Sequence, residues 1–228
     1  MTHHSHNQNI ERYTTKTSTI YKKNVHDPKD AKTLLKPGSQ NKKLGFKINT
    51  GMWTNKRLYS LTLEERTTCP RSCHHWEDCY GNNMPFAHRF KHGKDLISKL
   101  EVEITELMKK HKHGVVIRLH VLGDFYSLSY VKFWRKMLIR YPKLSIFGYT
   151  ARDDNIGEVI KELNARYPDQ CVIRFSRNEK FDDTNRYAAD EAMMIGAFTC
   201  PEQTGKVKNC ANCGLCWSVN KTVRFLTH

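Results

Sequence analysis

The sequence has no apolar run long enough to cross a bilayer, and its longest apolar stretches are short and strand-like, which excludes a helical integral membrane protein. It also has no apolar leader segment, so a reducing, cytoplasmic setting is expected. Acids are scarce: 23 Asp+Glu face 38 Lys+Arg, a formal net charge of +15. An excess of that size favours polyanions, and nucleic acid or a nucleotide is the expected partner, although a merely solvated basic surface also accounts for charge alone. The shortage is sharpest in residues 1–57. There twelve Lys/Arg, among them Lys22, Lys23, Lys42, Lys43, Lys56 and Arg57, meet only Glu11, Asp27 and Asp30, a net +9. Residues 1–40 lack apolar periodicity as well and are expected to form a basic, flexible arm. His3, His4 and His6 at its start receive no role. At 228 residues and 39% hydrophobic content, the remainder fits one globular domain with a core.

Seven of the eight cysteines fall into two tight groups, Cys69-x3-Cys73-x5-Cys79 and Cys200-x9-Cys210-x2-Cys213-x2-Cys216, and Cys171 stands alone. Thiolates at such short spacings suit a loop wrapped around one soft metal or iron–sulfur centre. Disulfides fit poorly in a chain this large with no apolar leader. In the second group Gly214 permits a tight turn, and Cys200 or His228 completes a set of four ligands. Zinc and an iron–sulfur cluster both satisfy that set. Three thiolates in the first group suit a [4Fe–4S] cluster with one iron left open; a structural zinc would want a fourth ligand, and His74 and His75 inside the loop are assigned no ligand role.

Periodicity places a strand over 56–63, a helix over 86–112 that Gly93 can interrupt, and a buried strand over 115–122. A helix capped by Ser127 or Ser129 follows and stops at Pro142. Next come a strand over 144–150, a helix over 156–167, a strand over 171–176, a shorter helix over 184–196 and a closing TVRFL run. Such alternation implies an α/β fold, either a partial (β/α) barrel or an open parallel sheet. The expected division is arm 1–40, α/β core 41–198 and a cysteine-rich metal-binding tail 199–228.

In either architecture chemistry collects at the carboxyl ends of the strands. That rule gathers the Cys69–Cys79 loop, Gly123-Asp124, the segment 149–152 and Ser176-Arg177-Asn178 on one rim. Asp124 there is a base, a nucleophile, an amine ligand, or simply a helix cap or loop hydrogen-bond acceptor. Arg152, Arg174 and Arg177 suit carboxylate or phosphate binding. His120 and Cys171 read as core residues.

A three-cysteine loop after strand one, with a strand two ending in Gly-Asp and a cysteine-rich tail, resembles a compact radical S-adenosylmethionine (SAM) enzyme. The resemblance implies a [4Fe–4S] cluster on Cys69, Cys73 and Cys79, SAM contacts from Gly123, Asp124 and Ser176, and an auxiliary cluster in the tail. The chain departs from that pattern in its second cysteine gap of five rather than two, and Leu-Gly-Asp-Phe replaces the usual Gly-Gly-Glu. More closely, TTCPRSCHHWEDCYGNNMPFAHR, LHVLGDFYSLSY, GYTAR and CANCGLCW resemble the gene-88 proteins of mycobacteriophages over residues 41–228. That resemblance implies a viral origin, a metal-bearing α/β fold and the host cytoplasm. The tail and Asp124 also resemble zinc-bearing transglycosylases that insert deazaguanine into nucleic acid, with Asp124 as nucleophile. A non-enzymatic, zinc-stabilised nucleic-acid-binding protein is the third reading.

Overall fold

The structure is a computed structural model describing residues 17–176, 187–190 and 197–226. The chain begins with two short strands, β1 (Val25–His26) and β2 (Lys36–Pro37), and continues into β3 (Arg57–Ser60) and β4 (Arg89–Phe90). Then come helix α1 (Lys94–Lys110), β5 (Val115–Leu119), α2 (Leu128–Arg140), β6 (Leu144–Thr150), α3 (Asn155–Arg166) and β7 (Cys171–Ser176). The last elements are β8 (Tyr187–Asp190), β9 (Phe198–Thr199), α4 (Cys210–Cys213), α5 (Leu215–Ser218) and β10 (Val223–Phe225).

One eight-stranded sheet runs β2-β3-β5-β6-β7-β8-β10-β9. Every neighbouring pair is parallel except β2–β3. From β3 to β8 the spatial order follows the chain order, and the described strands leave the sheet open rather than closed into a barrel.

Strand alternation sorts the two faces. Leu119, Ile117, Ile146 and Ile173 point to one side, where the apolar stripes of α1, α2 and α3 cover them with Leu100, Ile104, Trp134, Met137 and Ile160. Ser127 caps α2 through Tyr130 N–H, and Asp154 caps α3 through the N–H groups of Ile156 and Gly157. Leu58, Val116, Phe147 and Val172 point to the other side. No helix of the α1–α3 set covers that side. Leu44, Ile48 and Trp53 from before β3 fill it together with Ala211 and Trp217 from the tail; Trp53 and Trp217 stack at 5.4 Å.

Four expectations are corrected here. Residues 17–40 of the supposed arm are folded onto the domain. Leu34 and Leu35 are buried, their N–H groups donate to Glu103 on α1 at 2.7 and 3.0 Å, and β1 and β2 pair with β4 and β3. Residues 1–16 lie outside the described set. The helix expected from residue 86 starts only at Lys94, because Arg89–Phe90 pairs as a strand and Gly93, at φ 133°, turns the chain. Part of the helix expected over 184–196 is the strand β8, and the rest lies outside the described residues. The tail is no appendage, since β10 inserts between β8 and β9 in the main sheet. No helix among the described residues is long and apolar enough to cross a membrane.

Candidate functional site

Because β3, β5, β6 and β7 run parallel, their carboxyl ends share one edge of the sheet, and the cysteine loop leaves β3 at that edge. Gly123 makes the junction tight. Its φ of 83° lies in the left-handed region, and a Cβ there would come within 2.6 Å of Thr68 Oγ1 and 2.7 Å of Leu63 Cβ. Thr68, the residue before Cys69, thus packs directly on the Gly-Asp turn, and its hydroxyl accepts from Asp124 N–H at 3.1 Å.

Asp124 is 4% exposed. Its Oδ1 accepts from Phe125 N–H and from Thr150 Oγ1, both at 2.7 Å, and Oδ2 accepts from Ala151 N–H at 2.8 Å. A carboxylate has about four acceptor positions, so one remains on Oδ2. Burial raises its pKa to about 6 against the pull of Thr150, the two backbone donors and Arg152. Arg152 closes the rim, donating to Phe125 O at 2.7 Å and Thr68 O at 3.0 Å. Ser72 Oγ reaches across to Asp153 at 2.9 Å. Asp124 caps no helix, Ser127 being the cap of α2, but it serves as a loop hydrogen-bond acceptor that staples the ends of β5 and β6 together.

Two of the three loop thiols lie within electrostatic reach of this carboxylate, and the third, Cys79, neighbours them and Glu65 instead. Cys69 and Cys73 feel the charge of Asp124, and Cys69 feels both other cysteines. Each sulfur also accepts a backbone N–H: Cys69 from Arg66, Cys73 from His75 and Cys79 from Gly81. Burial pushes all three thiols up, Cys73 to about 12, and the amide donors pull the other way. Gly123, Asp124 and the three cysteines are thus brought together. Ser176 ends β7 on the same edge, half-buried, while Arg177 and Asn178 lie outside the described residues.

A buried ion pair that sequence reasoning missed holds the loop's two legs. Glu65, four residues before Cys69, and Arg89 both have side chains at 0% exposure and meet at 2.7 Å. Arg89 also donates to Ala87 O and to Gly81 O, two residues after Cys79, and Thr19 Oγ1 donates to Glu65 at 2.6 Å. Sequence carries only a faint signal for this, an acid and a base on opposite sides of the cysteines.

The tail cysteines sit elsewhere, against the face of the sheet opposite α1, α2 and α3. Asn209 caps α4, Gly214 takes φ 70° between α4 and α5, and the N–H groups of Cys210 and Ala211 pair with Lys43 O and Leu44 O. Cys200 interacts electrostatically with Cys210, Cys213 and Cys216. Cys213 Sγ accepts Leu215 N–H, and Tyr149 OH donates to Cys216 Sγ at 3.0 Å. Three cations surround the group: Arg118 and Lys43 act on Cys210, and Arg174 acts on Cys216. Arg174, expected as an anion ligand, is buried and spends its donors on the carbonyls of Cys216, Lys221 and Val219 at 2.8–2.9 Å. It ties the tail to β7.

Among the described residues, no three His, Cys, Asp or Glu side chains converge tightly enough to hold a metal ion. The thiols of each group interact without reaching that spacing. His228 lies outside the described residues. His120 is a core residue, as expected, with Nε2 3.0 Å from Tyr130 OH. Cys171 is buried beside Asn164.

The Gene product 88 family model matches residues 27–206. The chain is similar to the Gene 88 protein of Mycobacterium phage L5, at 25% identity over 154 residues that cover 58% of this chain and 63% of that protein. It is also similar to the Gene 88 protein of Mycobacterium phage D29, at 27% identity over 152 residues with the same coverage of each chain. The chain thus spans less than two thirds of the length of these relatives. No solved structure matches it.

Proposed function

This chain belongs to the Gene product 88 family, and we propose that it is a phage iron–sulfur enzyme of radical SAM type that modifies nucleic acid or a nucleotide. The observation that carries the reading is the loop itself. Three thiols, each accepting a backbone N–H, neighbour one another at the carboxyl edge of a parallel sheet, and two of them, Cys69 and Cys73, feel a buried carboxylate, Asp124. Amide donors to sulfur are a usual means of stabilising and tuning a thiolate-held cluster. Cysteine ligates as thiolate, so a cationic centre is what offsets the burial that otherwise keeps these thiols protonated. A single tetrahedral zinc with 2.3 Å bonds needs sulfurs about 3.8 Å apart. A multi-iron cluster is larger and accommodates thiols that neighbour one another more loosely.

The two cysteine groups differ in charge in a way that suits different roles. The loop offers three thiols plus Asp124, an incomplete ligand shell with an acceptor left over. The tail offers four thiols near Arg118, Arg174 and Lys43, the last paired with Glu202 at 3.3 Å, a fuller shell whose negative charge is partly compensated. The tail then holds a structural zinc or a second, auxiliary cluster, and the loop holds the [4Fe–4S] cluster that supplies one-electron chemistry to bound SAM. Asp124 would direct its remaining Oδ2 position at the SAM ammonium. Gly123 would let the backbone approach, and Ser176 would line the far side of the rim. A nucleophilic Asp124, as in the transglycosylase reading, fits less well, because the carboxylate is 4% exposed and three donors already fix it.

The test is the Cys69→Ala/Cys73→Ala/Cys79→Ala variant, purified anaerobically. Iron falls by one cluster's worth, SAM cleavage disappears, and the tail keeps its metal. A variant with unchanged iron, or wild-type protein holding only zinc in this loop, overturns the proposal.

A further inference from the structure

The leg of the cysteine loop beyond Cys79 holds two large apolar side chains out in solvent: Phe86 is 91% exposed and Tyr80 is 41% exposed. One exposed ring on its own needs no explanation. What surrounds this one is more informative. The N-terminal segment, which sequence reading treats as a free arm, is docked on this same leg. Tyr21 OH donates to Asn82 O at 2.7 Å, Asn24 Nδ2 donates to Pro85 O, next to Phe86, and the His26 ring stacks on His88 at 4.7 Å. That docking brings the exposed Lys22 and Lys23 to the Phe86 loop.

The nearby acids offset this charge only in part. Glu65 is buried in its pair with Arg89, and Asp27 lies 4.0 Å from Lys91. Glu77 and Asp78 are exposed acids on the loop, Asp78 3.2 Å from His75. An exposed aromatic face flanked by lysines, on the loop that carries the reacting centre, matches the chemistry of unpaired bases stacked on rings with their phosphates held by cations. Duplex bases are already stacked on each other and offer no free face.

We infer that Phe86 is a stacking platform for an unpaired base and that Lys22 and Lys23 hold the adjoining phosphates. The substrate class of the neighbouring site is therefore single-stranded nucleic acid. That the bound strand is also the substrate rests on the Cys69–Cys79 loop being the reacting centre; the binding surface itself stands on Phe86 and the lysines.

Fluorescence anisotropy with a labelled oligothymidylate, and with the same length of duplex, tests it on the full chain. The single strand binds in preference to duplex. Phe86→Ala weakens binding about 5- to 150-fold, the equivalent of about 1–3 kcal/mol, and Phe86→Trp restores it with indole fluorescence quenched on binding. Lys22→Ala/Lys23→Ala flattens the log–log salt dependence by about 1.4, or 0.7 per lost contact. The Cys69→Ala/Cys73→Ala/Cys79→Ala variant keeps binding, so a failed cluster assignment and a failed platform give different results. No binding at low salt, or Phe86→Ala binding like wild type, overturns the inference and leaves Phe86 to a protein partner.

Discussion

Glu65→Gln is the perturbation whose size the structure fixes best. Gln keeps the shape of Glu65 and removes its charge, leaving the Arg89 guanidinium at 0% exposure with two carbonyls and no counter-ion. An uncompensated charge in such a site costs about 3–5 kcal/mol. For a chain of this size each kcal/mol lowers Tm by about 2–4 °C, so the variant melts about 6–20 °C below wild type. Replacing both partners, as in Glu65→Leu/Arg89→Met, removes the charge along with its partner. That variant is expected to cost much less than the sum of the single changes, and a double-mutant cycle by thermal and urea unfolding measures the difference. The pair also joins the legs of the cysteine loop, so Glu65→Gln should release the metal of the Cys69 group before that of the tail. Gly81→Ala attacks the same point from outside, because its Cβ would lie 2.8 Å from Glu65 Oε1. A loss below about 1 kcal/mol for Glu65→Gln, or strictly additive single changes, refutes the reasoning.

Other consequences follow from individual groups. Asp124→Asn turns an amide NH2 toward donors the carboxylate accepted, and should weaken SAM binding by about 1.5–3 kcal/mol in calorimetry of the iron-loaded protein; a lower Tm with unchanged affinity would reduce Asp124 to its stapling role. His120 is buried with its pKa lowered from 6.5 to about 3, so the folded chain stays neutral there while the unfolded chain takes a proton. Stability is thus lost as pH falls from about 6.5 to 3, by up to about 5 kcal/mol, and His120→Gln should flatten that limb of the stability–pH curve. Arg118→Met removes one of the cations around the tail thiols, so a chelator should strip the tail metal more readily while the loop iron holds; equal resistance in both proteins would contradict the charge-compensation argument.

The helical layer was the most legible part of this chain. Apolar spacing located α1, α2 and α3, and Ser127, Pro142 and His113-Gly114 marked their limits, because caps and breakers act locally. Strands β6 and β7 read cleanly as continuous apolar runs. What could not be read was everything that depends on a distant partner. Val25–His26 and Lys36–Pro37 have no strand pattern of their own and are strands only because β4 and β3 offer them hydrogen bonds. The placement of the tail on the face opposite α1, α2 and α3 rests on Trp53 stacking on Trp217 and on Arg174 gathering three carbonyls, contacts between residues far apart in sequence. At the site, the rule of strand ends correctly joined the cysteine loop to Gly123-Asp124 and Thr150-Ala151. The Glu65–Arg89 pair escaped notice because a charged residue in a basic, polar stretch looks solvent-exposed until the fold buries it.

The radical SAM reading requires that the Cys69 group hold iron rather than structural zinc. Iron and acid-labile sulfide measured on anaerobically purified wild-type protein, with electron paramagnetic resonance of the reduced sample before and after SAM is added, test it most directly. Wild-type protein is expected to hold iron and sulfide in equal amounts and to give a reduced-cluster signal that changes shape when SAM binds. Colourless protein that contains zinc, no labile sulfide and no signal would contradict it.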